Sequence, residues 1–245
     1  MNVRRNLAAL LFAVALAGAV RVAAAPPPTG VVPITRKIKA VDADNRTIVI
    51  NKPGLITLLL GTNEDSQDAA REAGQTVYPL RGRPDFQLVV VVDLRDSLAT
   101  WVPSLVLGQM RKNLDKEAVL LKPYYLKNGN KSNPRASSYV IADFNGSVCP
   151  QLGWTDGSGD LRGILFGANG HEIKRWPKIE KMDEMLASVW AAVQALDDAK
   201  KSRAAEQAKS QSQASKIVQP PAPPRPLPPI PTNAAPAAVA PPSTP

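Results

Sequence analysis

The chain predicts an α/β fold, a mixed central sheet with helices on both faces, and three observations carry that prediction. Leu55–Leu60, closed by Gly61, and Phe86–Val92, with its four consecutive valines, are apolar runs that read as strands buried on both sides. Each is followed by a stretch whose apolar residues recur at three- and four-residue spacing, the period of a helix. Near the end, Asn169-Gly170 joins two short strands in a tight hairpin, and an amphipathic helix follows. Strand-helix repeats give parallel neighbours, the hairpin adds antiparallel ones, and the helices cover the faces.

In chain order, Ile34 to Ile50 alternates apolar and polar residues on both sides of Asp42-Ala43-Asp44-Asn45, which is an N-terminal β-hairpin pattern. After the first apolar run, Asp65 or Ser66 is placed to cap a helix. Its stripe is Ala69, Ala70, Ala73, Val77 and Leu80, and Arg81-Gly82-Arg83-Pro84 ends it. A long helix begins at about Pro103, with Leu107, Met110, Leu114, Ala118 and Leu121 on one face, and Pro123 is expected to bend or stop it. Asn128-Gly129-Asn130 and Asn133-Pro134 mark a polar loop. Tyr139–Ala142 reads as a short strand, Asp143-Phe144-Asn145-Gly146 as a turn, and Ser147–Leu152 as a short helix despite Pro150. Leu161–Phe166 and Glu172–Trp176 are the hairpin strands. The last helix starts near Pro177 or Lys178 and buries Met182, Met185, Leu186, Val189, Val193 and Leu196, with Trp190 beside them.

Both ends carry different information. Arg4 and Arg5, the apolar stretch Leu7–Val20, then Arg21 and the small residues Val22-Ala23-Ala24-Ala25 form a secretory signal peptide with cleavage after Ala24. The stretch is shorter than the roughly 20 residues of a membrane-spanning helix. No cysteine follows it to take a lipid. The expectation is a periplasmic or secreted protein divided into a leader over 1–24, a Pro-rich spacer over 25–33, a domain over 34–199, a polar helical or disordered linker over 200–219 and a disordered Pro-rich tail over 220–245. Twelve of those last 26 residues are proline, too few of the rest being apolar to build a core.

The formal charge of +9 is uneven. Arg4, Arg5 and Arg21 hold three of the nine, six basic residues against Glu206 leave +5 beyond residue 199, and the body keeps +1. A nearly neutral body excludes nucleic-acid binding as its role. The tail is suited to weak contact with anionic cell-wall polymer or a membrane surface. Arg225-Pro226-Leu227-Pro228-Pro229-Ile230-Pro231 has the form of a PxxP ligand, but a spacer role is expected of it.

Few residues suggest chemistry. Cys149 is the single cysteine, so no intramolecular disulfide forms, and with Val148 and Pro150 as neighbours it reads as a small core side chain. His171 is the single histidine, follows a tight turn, and reads as solvent-facing; no serine elbow accompanies it. One cysteine and one histidine do not make a zinc site, and no metal or cofactor is expected. Glu64, Asp65 and Asp68 suit a helix N-terminus, whose dipole they complement. Asp93, Arg95 and Asp96 end the strongest strand. Open α/β sheets place ligands at such strand ends, so Thr62, Asn63, Glu64, Asp65, Ser66 and Gln67 with Asp93, Arg95 and Asp96 form the expected binding crevice.

Over about residues 54 to 196 the order of elements resembles the thioredoxin-like superfamily, in its redoxin and peroxiredoxin branch. The matching segments are Asp143-Phe144-Asn145-Gly146, Leu161-Arg162-Gly163-Ile164-Leu165-Phe166 and Ala168-Asn169-Gly170-His171-Glu172-Ile173. The chain is most similar in character to exported bacterial members without the active-site cysteine motif. The resemblance implies an architecture in which chemistry would need a cysteine just after the first core strand, at the helix N-terminus, where the dipole lowers its pKa. Asn63 to Gln67 stand there instead, and no proline precedes Leu161, where thioredoxins proper hold substrate backbone. The leading expectation is therefore a non-catalytic binding or accessory protein whose partner, a protein or a small ligand, meets it in the periplasm. The alternatives are a divergent redoxin working on peroxide or disulfides through Cys149 and an envelope scaffold acting through the Pro-rich tail.

Overall fold

The computed structural model describes residues 33–217. The expected leader, most of the spacer and the Pro-rich tail lie outside the described residues. Ten elements follow in order: β1 (Lys39–Val41), β2 (Thr47–Val49), β3 (Ile56–Thr62), α1 (Gln67–Thr76), β4 (Phe86–Asp93), α2 (Pro103–Lys127), β5 (Tyr139–Asp143), β6 (Arg162–Phe166), β7 (Glu172–Trp176) and α3 (Met182–Ile217). Short 3-10 turns occupy Tyr78–Leu80, Leu98–Trp101, Pro134–Ser137 and Cys149–Leu152. The division falls after Asp198: residues 199–212, still helical, are fully exposed and form part of a separate unit.

β1 and β2 pair as the antiparallel hairpin, and the other five strands form one sheet in the order β5-β4-β3-β6-β7. β3, β4 and β5 run parallel, while β6 lies antiparallel to β3 and β7 antiparallel to β6. The mixed sheet follows from the connections. Helical crossovers return the chain in the same direction, and the turn at Gly170, with φ of 78°, reverses it.

Alternation along the central strands divides the core in two. Leu58 and Leu60 of β3 and Leu88 of β4 face α1 and α3, against Ala70, Ala73, Met185, Val189 and Val193. Leu59, Val89, Val91 and Ile164 point the other way, where Ile38, Ala40, Ile48 and Ile50 of the hairpin segment and the Cys149–Leu152 turn cover them. Every residue of β3 is buried, as a strand covered on both faces requires.

Three details differ from the sequence expectation. α1 ends at Thr76, and of the expected stripe Val77 is its C-cap and Leu80 belongs to the 3-10 turn Tyr78–Leu80, both still buried against the sheet. α2 runs on through Pro123 to Lys127, because Pro123 sits on the exposed side, where its ring and the unbonded carbonyl before it meet solvent. α3 starts at Met182, four residues or more after Pro177 and Lys178, which lie in the approach to it.

The outer edge of β5 is occupied by the hairpin turn. Ala43 N donates to Val140 O at 2.7 Å, and Arg46 donates to Ala136 O and Ser138 O, each at 2.8 Å, with its guanidinium 4.9 Å from the Tyr139 ring centroid. At the opposite edge, Glu172 N of β7 donates to Ile34 O at 3.1 Å.

Candidate functional site

The carboxyl ends of β3 and β4 sit side by side, with Thr62 paired to Val92. The loop after β3 closes on itself. Asn63 Oδ1 accepts from Asp65 N at 3.0 Å, Ser66 N at 3.2 Å and Ser66 Oγ at 3.1 Å, and Ser66 Oγ lies 2.9 Å from Thr62 Oγ1. Ser66 is the N-cap residue of α1, yet its side chain makes no capping bond, because it is engaged backwards. The Asn63 side chain thus fixes the two amides that lead into the helix, those of Asp65 and of the N-cap residue Ser66.

Strand β4 delivers Asp93, and Arg95 folds back onto it. Burial works to raise the Asp93 pKa, but the bonds and charge of Arg95 outweigh it and hold the carboxyl below its usual range. Arg95 also donates to Trp154 O at 3.2 Å and lies across Gly146, where a Cβ would come within 2.7 Å of its Cδ. Gly146 has φ of 71°, so both the turn and the close approach call for glycine there.

Cys149 comes to this place from 90 residues along the chain. Asp143, 1% exposed, accepts from Ser147 N, Val148 N and Cys149 N at 2.8, 3.0 and 2.7 Å and so pins the start of the 3-10 turn. Its carboxylate and that of Asp93 flank the thiol. Burial first, then these two negative charges, push the Cys149 pKa far up, and Arg95 offsets only part of it. The thiol therefore stays protonated across the physiological range. A cysteine "in the wrong place" by sequence is, in space, against the same loops as the expected crevice.

The two halves of that crevice do meet. Glu64 Oε1 accepts from Ser97 Oγ, which ties the loop after β3 to the loop after β4. Thr62, Asn63 and Asp93 line one hollow with Cys149 and Trp154, but its volume is only about 10 Å³. A third segment roofs it. Trp154 lays its ring on Gly61, Gly157 sits where a Cβ would be 3.1 Å from Asp96 Oδ2, and Gly159 does the same against Asp65 Oδ2. Arg162 anchors this roof by an ion pair to Asp156 at 2.7 Å, and Asp160, held below its usual pKa chiefly by its bond to Lys178, fixes the far end. Glu64, Asp65 and Asp96 remain exposed on the rim, Asp68 is paired with Arg71 at 2.9 Å on the outer side of α1, and Gln67 is exposed at the first position of the helix.

His171 is exposed in the β6–β7 turn, away from these groups. Among the described residues no cluster of three or more His, Cys, Asp or Glu is arranged to hold a metal ion, and no helix is long and apolar enough to cross a membrane. Sequence reasoning missed the roof, residues 154–160, because Gly157 and Gly159 read as a plain linker; Trp154 was the available signal. It also missed a second hollow of about 380 Å³ between β1 and β5, bordered by Lys39, Val41, Ala142, Phe144 and Gln151, which depends on a long-range approach of two strand edges.

No family model and no curated protein matches the chain. Similar solved structures include StoA from Bacillus subtilis, 11% identical with a TM-score of 0.39, covering 63% of this chain and 96% of that one. A thiol:disulfide interchange protein of the thioredoxin family from Chlorobium tepidum is 10% identical with a TM-score of 0.43, covering 66% of this chain and 97% of that one. A secreted disulfide oxidoreductase from Mycobacterium tuberculosis is 12% identical with a TM-score of 0.38, covering 63% and 95%. At such values, chemistry has to be read from this chain's own residues.

Proposed function

We infer that this chain, thioredoxin-like in its sheet order, is an exported accessory protein that binds a partner through the loops at the carboxyl end of its sheet and carries out no thiol chemistry. The observation that carries this reading is Cys149: 1% exposed and flanked by the Asp93 and Asp143 carboxylates, it lacks the thiolate on which exchange and peroxide reduction depend. The loop where a reactive cysteine would stand offers Asn63, whose side chain is engaged by the amides of Asp65 and Ser66.

The partner class follows from size and charge. Small-molecule sites usually have volumes of about 300 Å³ or more, and the hollow under the roof is far smaller, so contact is made on its outer rim, by a protein surface. That rim presents Glu64, Asp65, Asp96 and Asp156, which suits a basic patch on the partner. Export rests on the leader at 1–24, and the Pro-rich tail serves as a spacer.

One observation favours the redoxin reading: the fold sets Cys149 beside Arg95 and behind Thr62, where a substrate of such an enzyme would arrive. Thiol kinetics separate the two. Cys149 in the native protein is expected to resist a disulfide reagent and hydrogen peroxide, and to react at the rate of a free thiol once unfolded in urea. Rapid native reaction with peroxide, abolished in Cys149→Ser, would overturn the accessory reading.

A further inference from the structure

α2 is packed on one side only. Leu114, Ala118, Leu121 and Tyr125 are its buried residues, and none lies in its first eleven positions. The opposite side is exposed along its whole length and carries Leu105, Val119, Leu120 and Leu126. Lys112, Lys116 and Lys127 alternate with them on that side, and none makes an ion pair among the described residues. The helix has two carboxylates, and both are taken up in ion pairs: Glu117 with the buried Arg81 at 3.5 Å, and Asp115, 66% exposed at the edge of the outward side, with Arg135 at 2.8 Å. The outward face therefore holds lysines and apolar side chains with one acid, Asp115, at its edge and already paired with Arg135, on a body whose net charge is only +1. Immediately before the helix, Leu98 is 84% and Trp101 83% exposed.

The geometry points to this face as a docking surface for an anionic phospholipid bilayer, with Trp101 and Leu98 entering the headgroup layer and α2 lying along it. The turn that carries Leu98 and Trp101 adjoins the acidic rim described above, since Leu98 lies two residues after Asp96 and Ser97 between them donates to Glu64, so the attraction to an anionic surface comes from the lysines of α2 and not from that turn. Charge complementarity selects the occupant: three lysines without ion-pair partners among the described residues suit an anionic surface, and their stems can follow the apolar side chains while the ammonium groups reach phosphate. A protein interface core, in contrast, is depleted in lysine, whereas here lysines are spaced through the apolar stripe itself. Tryptophan is enriched at the boundary between lipid and water, where its ring is part apolar and its N–H can reach the headgroups. The contact is peripheral, since none of the described helices can cross a bilayer.

Trp101 provides the test, because Trp154 and Trp176 are buried and Trp190 is far less exposed. The full chain is mixed with phosphatidylcholine vesicles, or with vesicles in which a third of the lipid is phosphatidylglycerol, each containing lipid brominated on the acyl chain. Tryptophan quenching is expected with the anionic vesicles, falling with salt and absent in Trp101→Phe. The Lys112→Gln/Lys116→Gln/Lys127→Gln variant should lose affinity by about five-fold for each lysine removed. These positions are exposed, so circular dichroism should show all variants folded. Vesicle binding whose quenching is unchanged in Trp101→Phe would assign attachment to the leader or the basic tail and overturn the proposal. So would equal quenching by uncharged vesicles, or no binding at low salt, the last leaving the face to an acidic protein.

Discussion

Arg95 holds Asp93, two residues before it, with two parallel bonds: Nε to Oδ1 at 2.9 Å and Nη2 to Oδ2 at 2.6 Å. The pair closes one side of the Cys149 site while Asp143 closes the other. Arg95→Ala would leave two carboxylates facing a buried thiol with no cation near them. It should cost about 2–3 kcal/mol, the range for hydrogen bonds to charged groups, with Arg95→Lys recovering only part because it lacks the fork. A shift of the urea midpoint at constant slope reads this out, and a loss below about 0.5 kcal/mol, typical of surface changes, would show that solvent already satisfies Asp93.

Stability should fall on acidification. Asp44, lowered chiefly by its bond to Arg135, and Asp93, lowered by Arg95 against the opposing effect of burial, both have folded pKa values below the ordinary aspartate range. A depressed carboxylate contributes stability that is complete above its unfolded pKa and is lost as pH falls through the folded one. Urea midpoints measured from pH 6 downward should therefore hold until about pH 4–5 and then decline, since ordinary aspartates titrate near 3.9. Asp44→Asn or Asp93→Asn should flatten the decline, and an unchanged slope in both variants would refute the assignment.

Gly61 stands under the Trp154 ring, where an added Cβ would lie 2.4 Å from Cζ3. β3 is buried throughout and has no room to yield. Gly61→Ala is expected to destabilise by about 1–3 kcal/mol, the usual cost of overpacking. Adding Trp154→Leu should make the alanine less harmful than it is alone, a coupling that a double-mutant cycle measures directly. Additive losses would mean the strand moves instead of the ring.

Glu172 and Arg175 form a pair at 2.6 Å with each side chain 4% exposed. Arg175 also donates to Leu152 O at 2.6 Å and Glu172 accepts from Ile34 N at 3.2 Å, so the pair joins β7, the Cys149–Leu152 turn and the start of the described chain. Removing one partner, as in Glu172→Ala, should cost about 3–5 kcal/mol because it strands a buried charge. Glu172→Gln/Arg175→Met should be less damaging than the alanine variant, as judged by thermal or urea unfolding.

How much of this was legible follows from which interactions are local. Leu55–Leu60 and the valine run announced β3 and β4 because covering a strand on both faces leaves no polar alternation, and Asn169-Gly170 announced its turn because few residues accept a positive φ. The long-range contacts had no such signature. Nothing around Arg95 indicates that it will reach Trp154 O, and Cys149 appeared remote because 90 residues of chain separate it from a strand that the fold brings beside it. Ser66 was legible as the residue before α1, but its hydroxyl turns to Thr62 and Asn63 because the tight loop places them nearer than the first amides of the helix. The two halves of the crevice were identified from strand ends; the roof over them, made by Trp154, Gly157 and Gly159, depends on packing that only the assembled sheet creates.

The hairpin turn that fills the outer edge of β5 has a consequence for the behaviour of the protein in bulk. A parallel strand at the margin of a sheet offers its free carbonyls to any extended chain that passes, and crowded secreted proteins clump by that route. Here Ala43 takes up the Val140 carbonyl of β5 and Arg46 those of Ala136 and Ser138 just before the strand, while Ile34 meets Glu172 at the other margin. Both margins of the five-stranded sheet thus already carry a partner from the same chain, which leaves an approaching strand less backbone to pair with.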